Sequence, residues 1–169
     1  HLAVCGEDVK QDVVVVAAGT VLRPAEISML VSFGFNVVAV FRRPSVAILS
    51  TGDELVEPGE PIGPGQIVNS NAYSLAAAVL DVGGVPLLLG IARDNRESLQ
   101  EKLIARLRAD VLITSAGVST GDRDLVCAML EEVGVRTVFW KVDIKPGRTT
   151  AFVLQDARTL SSLPGNPGP

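Results

Sequence analysis

The sequence predicts an α/β protein in which a mostly parallel sheet is covered by helices on both faces. The candidate strands at 46–50, 85–91 and 111–115 are short continuous apolar runs, the pattern of strands buried on both sides. Segments of helical period separate them. Each run also ends in a polar cluster, at 51–54, 93–95 and 115–124. Parallel strands bring such clusters to one edge, outside the carboxyl ends where open α/β sheets bind ligands.

In chain order, residues 13–16 are a β-branched run, and Pro24 is placed to start a helix over 25–33 that Gly34 ends. Residues 36–41 read as a further strand, and 42–44 as a junction after which the rhythm changes. The run at 46–50 leads into Thr51-Gly52-Asp53-Glu54-Leu55, and the Pro- and Gly-rich stretch 57–65 reads as a long surface loop. Ser70 or Asn71 is placed to cap a helix carrying Leu75, Ala76, Val79 and Leu80 on one face, with Gly83 and Gly84 as its stop. After the strand at 85–91, Leu99, Leu103, Ile104 and Leu107 mark an amphipathic helix over 97–108. The strand at 111–115 is followed by a loop of small residues and a helix over 124–133. Strands are expected at 137–143 and 150–154.

Composition removes several function classes. The chain has 169 residues and a net charge of −4, which leaves no broad basic face for a nucleic-acid backbone. Its single histidine is His1, which excludes Ser-His-Asp and Cys-His catalysis and most His-ligated metals. Cys5 and Cys127 lie far apart without a metal-binding spacing, so neither a disulfide framework nor structural zinc is expected. No apolar stretch approaches the roughly 20 residues that span a bilayer. A soluble, cytoplasmic protein in a reducing compartment is the expectation, with no membrane or nucleic-acid partner. The chain starts at His1 and stops at Pro169 after a turn-like Pro-Gly-Asn-Pro, which reads as a fragment of a longer protein.

The stretch 111–124 carries the most chemical information. A buried strand runs into small residues whose backbone N–H groups can approach a ligand closely, and a helix start follows whose positive end favours an anion. Ser119, Asp122 and Asp124 crowd the same place. A phosphate cradle that carries its own carboxylates points to Mg²⁺ between the two. The plainer alternative for Asp122 and Asp124 is a helix cap with a first-turn acid. The same alternative applies to Asp53 and Glu54, and to Asp94 as the cap of a helix beginning near Asn95. Lys141 can equally lie on a solvated strand face.

Five motifs occur in order: RRPSVAILSTGDEL at 42–55, Ser70-Asn71, SAGVSTGDRD at 115–124, Lys145-Pro146-Gly147, and LPGNP at 163–167. Together they closely resemble the molybdopterin molybdenumtransferase family, to which the E domain of gephyrin belongs. The resemblance implies a three-layer α/β/α molybdopterin-binding domain over 45–169, truncated at its C-terminus and preceded at 1–44 by part of a neighbouring domain. It implies insertion of molybdate into adenylylated molybdopterin with release of AMP, assisted by Mg²⁺. It further implies a homodimer whose partner subunit helps to form the cleft, so the isolated fragment is expected to be inactive.

Carried over position by position, the resemblance makes Glu54, Asp94 and Asp124 the catalytic acids and Asp122 and Asp124 the metal positions. Ligand contacts then fall to Thr51, Ser115, Gly117, Ser119, Gly121, Lys141, Lys145 and Arg148. Lysines neutralising phosphates contribute about 1.5–3 kcal/mol per charge-assisted hydrogen bond, against about 0.3–1 for a helix end. Three departures stand out: Ala116 replaces a glycine, Arg148-Thr149 replaces a Lys-Pro, and the chain ends in Pro167-Gly168-Pro169. Two other functions compete. Molybdopterin adenylyltransferases share the fold but carry a Gly-Gly-Thr-Gly loop, where this chain has Ala116-Gly117-Val118-Ser119. A gephyrin-like receptor-binding scaffold is the third reading, and an adenylyltransferase is also a candidate partner.

Overall fold

A computed structural model describes residues 6–105, 109–115, 136–139, 151–155 and 158–163, the last three segments as strand backbone. The chain divides into two compact units, His1–Arg42 and Arg43–Pro169.

Among its described residues the first unit contains one helix, α1 (Pro24–Ser32), close to its expected span. Pro24 occupies its first turn, where a missing N–H costs nothing. Glu26 reaches back to accept the Arg23 backbone N–H at 2.9 Å and pairs with the Arg23 guanidinium at 2.8 Å, which holds the Glu26 carboxyl below its ordinary value. Gly34, at φ +84°, turns the chain out of the helix. The strand expected at 36–41 does not form, and neither does one at 13–16. β-branched residues favour extended backbone, but a strand requires a hydrogen-bonding neighbour. No described segment of this unit supplies one, and Phe41 stays 94% exposed.

The second unit is built on β1 (Ser45–Thr51), a run with six buried residues in succession. It is followed by the two-residue strands β2 (Leu55–Val56) and β3 (Ile67–Val68), then α2 (Ser70–Asp81), β4 (Val85–Ala92), α3 (Arg96–Ala105) and β5 (Val111–Ser115). The strands β6 (Arg136–Phe139), β7 (Ala151–Gln155) and β8 (Arg158–Leu163) complete it. The main sheet has the order β4-β1-β5-β8-β7-β6. β4, β1, β5 and β8 run parallel, whereas β7 is antiparallel to both of its neighbours. The fold is therefore α/β with a mostly parallel sheet.

Three elements were not foreseen. β2 and β3 pair in parallel on either side of the stretch that reads as loop, and β8, a polar run, lies inside the sheet between β5 and β7. The cap of α2 is Asn69, one residue before the expected Ser70 or Asn71. α3 begins at Arg96, and 106–108 of its expected span lie outside the described residues. So does the expected helix at 124–133, and so does 140–143 of the strand expected at 137–143.

Successive side chains of β1 point to opposite faces and create two cores. Ala47 and Leu49 pack with Leu99 and Leu103 of α3 and with Leu112. Val46 and Ile48 pack with Ala72 and Val79 of α2. Helices thus cover both faces of the parallel strands. At the amino end of the sheet, one Asp110 carboxylate oxygen accepts both the Ser45 N–H and the Ser45 hydroxyl at 2.8 Å. That clasp ties β1 to β5 at the end remote from the polar clusters.

Candidate functional site

β1 leads to α2 on one face of the sheet, and its neighbour β4 leads to α3 on the other. Adjacent parallel strands whose connections leave to opposite faces open a crevice outside their carboxyl ends. Thr51 pairs with Ala92 across this point, so the chain beyond each strand starts side by side. The Gly52 N–H donates to the Ala92 carbonyl at 3.1 Å. Gly52 has φ +141°, and a side chain there would collide with the Glu54 carboxylate, which folds back over it.

Arg93, the first residue beyond β4, binds this turn together. Its Nη1 donates to the carbonyls of Leu55 at 3.0 Å and Asp53 at 3.1 Å, with a longer approach to Gly52 at 3.5 Å. The Asp94 backbone N–H donates to Asp53 Oδ1 at 3.2 Å. Asn95, not Asp94, caps α3, accepting the Ser98 N–H on its side chain at 2.9 Å and the Leu99 N–H on its carbonyl at 3.2 Å. The capping alternative for Asp94 is thereby removed. Asp53 and Glu54 start no helix either, because the chain goes directly into β2.

On the α2 face of the same edge, Ser50 and Ser115 are register partners. Ser50 donates to Asn69 Oδ1 at 2.7 Å, Asn69 Nδ2 to Glu57 Oε1 at 3.4 Å, and the Tyr73 hydroxyl to Glu57 Oε2 at 3.2 Å. Partial burial, with the neighbouring Glu57 charge and hydrogen bond, raises the Tyr73 phenol above its ordinary value. Asn71 Nδ2 donates to Ser115 Oγ at 3.3 Å. On the α3 face, the hydroxyls of Thr51 and Thr114 are buried without a hydrogen-bond partner among the described residues. Such orphans stand out against the near-complete pairing of buried polar groups.

Of the residues singled out from sequence, Thr51 and Glu54 thus lie at the end of β1, Asp94 just beyond β4, and Ser115 at the end of β5. Gly117, Ser119, Gly121, Asp122, Asp124, Lys141, Lys145 and Arg148 lie outside the described residues. Among the described residues no three of His, Cys, Asp and Glu come together to hold a metal ion. The sequence placed Arg93 only within a polar cluster, offered Asn71 only as a helix cap, and gave no role to Glu57 or Asn69. Their partners lie 12 to 44 residues away in the chain, and no local pattern reports such pairs.

The family described as a probable molybdopterin binding domain matches residues 47–169. The molybdopterin molybdenumtransferase of Nostoc sp. is 44% identical over 154 residues, which cover 89% of this chain and 35% of that protein. The enzyme of the same name from Haemophilus influenzae is 40% identical over 163 residues, covering 96% of this chain and 40% of that protein. The chain therefore spans about two fifths of these relatives' length. Among solved structures, the molybdopterin biosynthesis moeA protein from Pyrococcus horikosii superposes with a TM-score of 0.80 at 33% identity, over 96% of this chain and 40% of that one. The resemblance carried by the five motifs is borne out, and the chain belongs to the molybdopterin-binding-domain family, in the form found in molybdopterin molybdenumtransferases.

Proposed function

We propose that this chain contributes the pterin-nucleotide site of a protein that inserts molybdate into adenylylated molybdopterin and releases AMP. The observation that carries this reading is the carboxyl edge shared by β1 and β4, where Thr51 pairs with Ala92 and where Arg93 and Asp94 bind the Asp53–Leu55 turn that carries Glu54. A ligand with a pyrophosphate bridge needs donors and cations, and its transfer chemistry needs acids beside them. Glu54 and Asp94 provide carboxylates on two adjacent loops, held by a turn that Arg93 keeps closed. Thr51 and Ser115 provide hydroxyls one residue inside that edge.

In this reading Asp124 is the third catalytic acid, and Gly117, Ser119 and Gly121 offer backbone N–H groups to the phosphates. Lys141, Lys145 and Arg148 neutralise the phosphate charge, including the charge left on AMP when the phosphoanhydride bond breaks. Molybdate and adenylylated molybdopterin are the substrates. Mg²⁺ would assist by shielding phosphate from carboxylate, held by Asp122 and Asp124. Among the described residues no three carboxylates gather into a cation site. The same reading has the whole protein acting in the cytoplasm as a homodimer, supplied with substrate by a molybdopterin adenylyltransferase. Among the described residues no helix is long and apolar enough to cross a membrane.

Calorimetry with adenylylated molybdopterin tests the proposal. The chain is expected to bind it, and Lys145→Ala to weaken binding with little loss of fold. Absence of binding by the unsubstituted chain would sink the reading. Formation of adenylylated product from molybdopterin and ATP would replace it with an adenylyltransferase.

A further inference from the structure

Ser50 and Ser115 sit side by side at the carboxyl edge, on the face covered by α2, yet their hydroxyls are held in opposite senses. The reason lies in which groups can only accept. An ionised carboxylate has no proton to give, so Glu57 must receive the Asn69 amide N–H. This orients the Asn69 side chain with its carbonyl toward Ser50. Ser50 therefore gives its proton to Asn69 Oδ1 at 2.7 Å, and that proton is committed to the protein interior.

Ser115 is held the other way. Asn71 Nδ2 donates to its oxygen at 3.3 Å, and among the described residues no acceptor takes the Ser115 proton. A hydroxyl that accepts one hydrogen bond becomes a better donor of its own, because the chain of bonds is polarised in one direction. Ser115 is 4% exposed, so bulk water does little to compete for that proton.

We infer that Asn71 is a positioning residue that makes Ser115 a hydrogen-bond donor toward an anionic oxygen, of the phosphate-ester or phosphoanhydride class, at the strand end. The inference rests on the reading under which Ser115 touches the pterin nucleotide. It goes further by assigning the polarity of that contact and the residue that sets it. A hydroxyl presented as an acceptor would repel a phosphate oxygen, so the orientation decides between attraction and repulsion at one atom.

The test is a double-substitution cycle read by calorimetry with adenylylated molybdopterin as the probe. Asn71→Ala is expected to weaken binding about threefold to tenfold, the worth of one neutral hydrogen bond. Asn71→Asp is expected to weaken it more, since a carboxylate would take the Ser115 proton. In a Ser115→Ala background the loss through this route disappears, so Asn71→Ala should cost clearly less affinity there than in the unsubstituted chain. Equal losses from Asn71→Ala in both backgrounds would mean a general structural role and overturn the inference. So would unchanged affinity of Asn71→Ala while the unsubstituted chain binds. Failure of the unsubstituted chain to bind overturns the functional reading itself, and this inference with it. A second readout needs no ligand: the Asn71 side-chain amide proton resonance should move upfield on Ser115→Ala. A resonance that does not move would refute the assigned polarity even where Asn71→Ala destabilises the fold.

Discussion

Arg93→Ala removes the cation that closes the turn beyond β1. Two of its hydrogen bonds, to Leu55 O at 3.0 Å and Asp53 O at 3.1 Å, have good length, and the third, to Gly52 O at 3.5 Å, is marginal. Hydrogen bonds from a charged donor contribute about 1.5–3 kcal/mol each, and the exposed position of Arg93 lets water recover much of that. A local cost of about 2 kcal/mol follows, confined to opening of residues 52–55 against β4. Native-state hydrogen exchange is the assay, because it separates local from global opening. The amides of Gly52 and Asp94, bonded to Ala92 O and Asp53 Oδ1, report the turn directly. They should exchange roughly 30-fold faster in Arg93→Ala, while core amides of β1 change little. Arg93→Lys should recover only part of the protection, since an ammonium lacks the planar fork. Unchanged exchange at Gly52 and Asp94 would refute the claim that Arg93 holds Glu54 and Asp94 in place.

Leu112, 1% exposed in the α3-side core, should cost about 2–5 kcal/mol when truncated to Ala, seen as a lower urea midpoint; a loss below about 1 kcal/mol would mean that the core there is not packed as described. The chain has a single tyrosine, so phenolate absorbance reads Tyr73 alone. Its pKa is raised above 10.0, so the associated stability is fully present below that pH and is lost as pH rises from there through the folded value. Glu57→Gln should move the folded titration partly back toward the unfolded one, and coincident folded and unfolded titrations would contradict the Tyr73–Glu57 contact.

The elements with continuous apolar runs were legible because burial on both faces leaves a signature that needs no knowledge of partners. β1 and β5 follow that pattern; β4 is an equally apolar edge strand on which Val85, Leu87 and Leu88 stay exposed, and α2 and α3 were legible from their helical period. The polar ends of these strands marked Thr51, Glu54, Asp94 and Ser115. The two-residue strands β2 and β3 have too few residues to show a period. β8 is mostly polar, and its place between β5 and β7 is set by backbone ladders, to which side-chain pattern contributes little. Residues 36–41 show the opposite failure: a β-branched run with no neighbour to pair with stays out of a strand.

For the site, residue types and strand-end positions could be read along the chain, and the five ordered motifs carried the family. Sequence by itself thus determined the fold class, the family and the polar clusters that follow the strand ends, because each depends on local composition and short-range order. Tertiary structure alone decided that Asn95 rather than Asp94 caps α3, that Arg93 closes the Glu54 turn, and that Asn69 and Asn71 hold Ser50 and Ser115 in opposite senses. Hydrogen-bond partners compete across tens of residues of chain, and which donor reaches which acceptor is settled only when the strands are in register.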